Sequence, residues 1–187
     1  MGLNYSVESI MNLIGIETDS GKLPEFIDYI YKNVEGIIRG TPFNDKDIGK
    51  AEQVISTKNF KFHFPPQYVM LLKEFGDLNG DNICEIEGIS TERLEITKDQ
   101  RKFFKDLMNG VTTEKKSKND DASADELDKM HVIHDDGFGN HYWIHVDGSV
   151  WFTQHDGLTN KMSKVLYRDY DSIVDMIKKM IKDLNKK

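Results

Sequence analysis

Apolar residues recur at helical spacing near both ends of the chain and alternate in between. Leu23, Phe26, Ile27, Ile30, Val34, Ile37 and Ile38 fall at steps of three and four, which predicts a helix over residues 23–38. Pro24 suits its first turn, and Gly40 with Pro42 ends it. Residues 5–14 show a less regular helical pattern. Asn44 or Asp45 caps the next helix by accepting from first-turn amides, and Ile48, Ala51, Val54 and Ile55 form its apolar face. Phe60, Phe62 and Phe64 then alternate, as in a short strand or an extended arm. Pro66 stands where a helix start tolerates a missing amide hydrogen. Tyr68, Val69, Leu71, Leu72 and Phe75 follow, and Gly76 stops the segment.

Beyond a polar turn, residues 83–89 read as a strand. Residues 98–108 read as a helix with Phe103, Phe104 and Leu107 turned inward. Residues 112–128 are charged or small and lack aromatics, which predicts a loop inserted in the domain. A last helix over 169–184 carries Ile173, Val174, Ile177, Ile181 and Leu184 on one face, with lysines near its end, where the helix dipole favours them.

The stretch from His131 to His155 reads as an antiparallel meander with strands at 131–134, 141–146 and 149–154. Asp147-Gly148 predicts a two-residue type I′ turn. That turn sets Val146 opposite Ser149, Ile144 opposite Trp151 and Trp143 opposite Phe152. Both faces then carry apolar residues. Either the chain covers both, or one presents aromatics to a partner.

Composition narrows the function classes. The chain has 187 residues, 38% hydrophobic and 30% charged, with one cysteine, Cys84. No intrachain disulfide and no multi-cysteine zinc site can form, and a reducing compartment is expected. Neither a secretory signal nor a membrane span is apparent, so a cytoplasmic location is expected. The net charge of −7 disfavours nucleic acid and suits a basic partner, such as a nuclease cleft, or simply keeps the protein soluble.

Catalytic patterns fare poorly. On a strand, His141 and His145 stand about 13 Å apart and cannot share one ion. Asp77-Leu78-Asn79-Gly80-Asp81 starts like a calcium loop, but Asn82 and Gly88 stand where glycine and glutamate are needed, so it reads as a turn. Asp136-Gly137-Phe138-Gly139 also reads as a turn. Neither Cys84 nor Ser149 nor Ser163 has a nucleophile's context, and the expectation is no enzyme, no metal and no cofactor.

Two segments together resemble the SUKH superfamily, which includes fungal cell-wall assembly regulators and bacterial immunity proteins. The first runs from Ile48 through Phe64-Pro65-Pro66-Gln67-Tyr68 and Leu71-Leu72-Lys73-Glu74-Phe75-Gly76 to Asn79-Gly80. The second comprises Asp136, Gly139-Asn140, Tyr142, Ile144, Gly148, Val150 and Phe152. The resemblance covers roughly residues 44–184. Phe64 replaces the family's usual leucine, and the first forty residues lie outside the pattern. It implies an α+β domain, a curved antiparallel sheet with helices packed against it, over residues 44–187; the helical patterns before it make residues 1–43 an expected N-terminal helical extension. It also implies an immunity protein that binds and neutralises a cognate bacterial toxin. The partner-binding residues are expected at Asp77, Asp135, Asp136, Asp147 and Asp156, chosen as acidic turn positions at strand ends and not from a motif. A regulatory scaffold in cell-wall or signalling assembly and a metal-dependent enzyme using the histidines are the alternatives.

Overall fold

Asn44 starts the first helix of the domain as its short amide side chain predicts. Its Oδ1 accepts from Lys46 N at 2.9 Å and Asp47 N at 3.0 Å. Helix α1 (Asp45–Ile55) then buries Ile48, Ala51 and Ile55. Val54 falls outside that stripe and is exposed. This computed structural model describes residues 37–80, 86–110, 123–154 and 166–184, together with Asp28 and Lys32.

The expected helix over 23–38 is helical at Asp28 and Lys32, but its last residues are not. Strand β1 (Ile37–Arg39) pairs antiparallel with β2 (Leu78–Gly80). β-Branched Ile37 and Ile38 favour an extended chain where a partner edge is offered. The Arg39 guanidinium also lies 4.7 Å from the Phe75 ring centroid. β2 occupies the segment read as a turn.

Residues 60–64 form an arm and not a strand, because α1 supplies the partners that a sheet would. Ser56 Oγ accepts from Phe62 N at 2.9 Å, and Glu52 Oε1 accepts from Phe64 N at 2.9 Å. Phe62 and Phe64 are buried. Helix α2 (Pro66–Glu74) has proline at its start and buries Tyr68, Leu71 and Leu72. Gly76 follows at φ +71°, and a Cβ there would sit 2.2 Å from Thr41 O, so only glycine fits.

Of the expected strand at 83–89, residues 81–85 lie outside the described residues, and Ile86 makes a single bridge with Leu78. Helix α3 (Thr91–Gly110) is longer than its apolar pattern. Phe104 is fully buried but Phe103 is 41% exposed, since neighbours on a helix diverge by about 100°. Residues 111–122 of the expected loop lie outside the described residues. The remainder forms a 3-10 helix (Ala124–Lys129) that buries Leu127.

The principal sheet has four antiparallel strands in chain order: β3 (Met130–Asp135), β4 (His141–His145), β5 (Val150–Thr153) and β6 (Leu166–Tyr170). β6 occupies the start of the expected final helix. That helix, α4 (Ile173–Leu184), begins later, where Ser172 Oγ accepts from Asp175 N at 3.1 Å. The fold is α+β.

The β4–β5 register differs by one residue from the expected one. Ile144 faces Val150, Trp143 faces Trp151 and Tyr142 faces Phe152. His145 N donates to Ser149 O, and Gly148 N to His145 O, both at 2.9 Å, so the loop has three residues. Gly148 holds φ +92° at its end. A type I turn followed by one left-handed residue needs a single positive φ, whereas type I′ needs two.

This register sorts the side chains cleanly. Ile133, Ile144 and Val150 face a core with Ile48, Tyr68, Leu71, Leu72, Ile173 and Ile177. Val132, Trp143, Trp151 and Leu166 face a second core with Phe104, Met108 and Leu127. The chain therefore covers both faces over the sheet's centre.

His131 is sealed in the first core. Its Nδ1 lies 2.9 Å from Thr97 Oγ1, and its ring packs edge-on against Phe64 with centroids 5.2 Å apart. Burial, reinforced by the Arg101 charge, pushes its pKa from 6.5 down to about 3. The unfolded chain therefore takes up this proton first on acidification, and the folded state loses stability from pH 6.5 towards pH 3. The loss amounts to about 1.4 kcal/mol per pH unit in that window. Urea unfolding at several pH values should show this slope in the wild type minus that in His131→Gln. Equal slopes would mean that His131 is protonated in the fold.

Candidate functional site

The turn between β3 and β4 is built by its own aspartates. Asp135 Oδ1 accepts from Gly137 N at 2.7 Å. Asp136 Oδ1 accepts from Phe138 N at 2.8 Å and Asn140 N at 3.1 Å, and its Oδ2 accepts from Asn140 Nδ2 at 2.7 Å. Gly137 and Gly139 take φ of +76° and +86°. These are the Asx-type bonds by which aspartate mimics a backbone turn. Burial alone would raise the Asp136 pKa, but the bonds from Asn140 and Phe138 and the nearby His134 hold it below the usual range.

At the tip stands Phe138, 83% exposed. An exposed phenylalanine on a loose loop would fold back onto the surface. Here the backbone around it is fixed by the aspartates and carries the ring out into water, where apolar area is costly unless a partner covers it.

An aromatic row begins at the foot of this turn. His134 pairs with Tyr142, Tyr142 with Phe152, and Phe152 with Tyr167, one residue from each strand. Successive ring centroids lie 5.9, 4.7 and 5.5 Å apart. All four side chains are half-buried. Tyr170 and Tyr142 donate to Asp169, whose pKa is nonetheless raised by burial. The row, the Asp135–Asp136 frame and Phe138 thus share one end of the sheet.

The opposite end holds a separate polar network. His145 lies between Glu126, 3.2 Å from its Nε2, and Asp147, 2.8 Å from its Nδ1. Ser149 N donates to Asp147 at 2.9 Å, and Trp151 Nε1 donates to Ser149 Oγ at 2.8 Å. The expected partner residues that are described therefore do not form one surface. Asp135 and Asp136 share a turn. Asp147 sits across the length of β4 from them. Asp77 is half-buried between α2 and β2, so close to Gly88 that a Cβ there would meet its Oδ1 at 2.1 Å. Asp156 lies outside the described residues.

Neither Phe138 nor the aromatic row is among the partner residues expected from the sequence. Phe138 had a readable signal, a large apolar residue between two glycines in a polar turn. The row had none without the register, because the two-residue turn sets Phe152 on the face opposite Tyr142.

The histidines are dispersed. His131 and His134 lie on one face of the sheet, and His141 and His145 on the other. Among the described residues no three of His, Cys, Asp and Glu converge as a metal site. Cys84 and His155 lie outside the described residues. The hydroxyl–imidazole pair of Thr97 and His131 is fully buried, and no substrate can reach it. No helix among the described residues is long and apolar enough to cross a membrane.

Asp147 supplies an acid-sensitive clamp. Burial would raise its pKa, but hydrogen bonds from Ser149 and the contact with His145 hold it at about 2, against 3.8 ordinarily. Its folded pKa is the lower one, so its stabilisation is complete above pH 3.8 and disappears as pH falls through about 2. Thermal melts between these limits should fall more steeply for the wild type than for Asp147→Asn. Parallel curves would show that the carboxylate gains nothing from the turn.

No family model matches this chain, and no curated protein matches it.

Proposed function

We propose that the protein is an immunity protein, one that binds a cognate bacterial toxin domain and blocks it by protein–protein contact. The observation that carries this reading is Phe138, held in solvent by a turn whose every strut is an internal hydrogen bond. An anchoring aromatic on a backbone already fixed in its turn costs little backbone entropy on docking. Asp135 and Asp136 bring negative charge to the same turn, and the net charge of −7 steers the protein towards a basic surface such as a nuclease cleft. The half-buried row of His134, Tyr142, Phe152 and Tyr167 extends the contact behind the anchor. The resemblance of the motif order to that of the SUKH superfamily supports the same reading, as does a single cysteine for a protein acting in the cytoplasm.

Co-expression with the toxin-like product of a neighbouring gene provides the test. The wild-type protein should co-purify with it and protect cells. Phe138→Ala should weaken the complex by roughly tenfold or more. It should change folding stability by no more than about 0.5 kcal/mol, because the ring touches little of its own chain. Absence of any complex and of protection, or a Phe138→Ala variant that binds as the wild type does, would remove the reading.

A further inference from the structure

A groove between the end of α1 and the side of α3 takes no part in that reading. It is an open groove with a volume of about 340 Å³. Four cations of α3 line it, Lys98, Arg101, Lys102 and Lys105, against two carboxylates, Asp106 and Asp128. The cations stand three and four residues apart, so they share one helix face. Like charges at that spacing repel and weaken a helix. In a chain of net charge −7 such a cluster is out of character.

The helix dipole accounts for part of it. α1 has no basic residue in its last turn, and Arg101 caps it by donating to Ile55 O, while its Nε donates to Met130 O at 2.9 Å. Lys105 pairs with Asp128 at 2.7 Å. Lys98 and Lys102 remain. Both are exposed, and among the described residues neither has an ion-pair partner. Thr57, also on the lining, accepts from Asn59 N at 3.3 Å and Phe60 N at 3.1 Å through its hydroxyl oxygen, which leaves the hydroxyl proton to donate.

We infer that this groove binds the phosphate monoester of a small molecule. Two positive charges stand in excess there, and a phosphate monoester carries close to two negative charges near neutral pH. Lysine ammonium groups suit phosphate as point charges, and the Thr57 hydroxyl adds a directed donor. The groove is open on one side, and its volume of about 340 Å³ leaves room for a group the size of a mononucleotide.

The test titrates the full chain, in phosphate-free buffer, with AMP, inorganic phosphate and adenosine, followed by amide chemical shifts and calorimetry. AMP should bind with a dissociation constant of about 1 mM or tighter. Its binding should perturb the Thr57 and Lys98 amides and weaken as salt is raised. K98Q/K102Q should weaken it by roughly tenfold with an unchanged melting temperature. Inorganic phosphate binding as tightly as AMP would make the free anion the ligand and overturn the inference of a monoester. It would also be overturned by adenosine binding as well as AMP, by AMP binding undiminished in K98Q/K102Q, or by neither phosphate compound saturating below about 10 mM. Phe138→Ala should leave AMP binding unchanged, so this outcome is independent of the toxin test.

Discussion

The pairing of β4 with β5 governs everything else in this molecule. Trp143 and Ile144 are neighbours in the chain, and the strand sends them to opposite faces. One face is then closed by α4, α1, α2 and Leu94 at the start of α3, and the other by the rest of α3 with the 3-10 helix. A slip of one residue would send Trp151 into the core built for Val150 and Ile144, and Val150 into the one built for Trp143. Gly148 prevents the slip by accepting the left-handed backbone that a three-residue loop requires. Two sealed cores depend on one glycine's φ.

The same register makes the surface feature. With Tyr142 opposite Phe152, and Phe152 opposite Tyr167, four half-buried rings line up across one face of the sheet, at the end next to the β3–β4 turn. The turn that carries Phe138 grows from that end. Its aspartates do two things at once: they spend lone pairs on the turn's own amides and leave their charge at the surface. The opposite end of β4 shows the contrast. There Asp147, His145, Glu126 and Ser149 satisfy one another and hold Trp151 in place, which is the pattern of a structural clasp.

Much of the fold was legible in the residues. Asn44, Pro66, Gly76 and the apolar stripes of α1, α2 and α4 act locally, and local chemistry decided them. Errors arose where a distant partner decided. Ile37 and Ile38 fit a helix face but are drawn into a strand by β2. Phe103 and Phe104 cannot both point inward, whatever their hydrophobicity. Leu127 sits in a charged segment yet is fully buried, because α3 and the sheet leave a hole for it. The site was legible only in part. Asp135 and Asp136 stand out by their charge and form the frame, while the sequence around Phe138, the residue that they display, reads only as a turn. The aromatic row was hidden because an aspartate–glycine pair fits two hairpin loops whose registers differ by one.

A hydrogen-exchange footprint of the complex would test the central claim most directly. Amides of the β3–β4 turn, from Asp136 to Tyr142, and of β6 around Tyr167 should gain protection when a toxin partner is added. Those around Asp147 should not change. Protection confined to the Asp147 end of the sheet or to the α1–α3 groove, with the Phe138 turn exchanging as in the free protein, would contradict it.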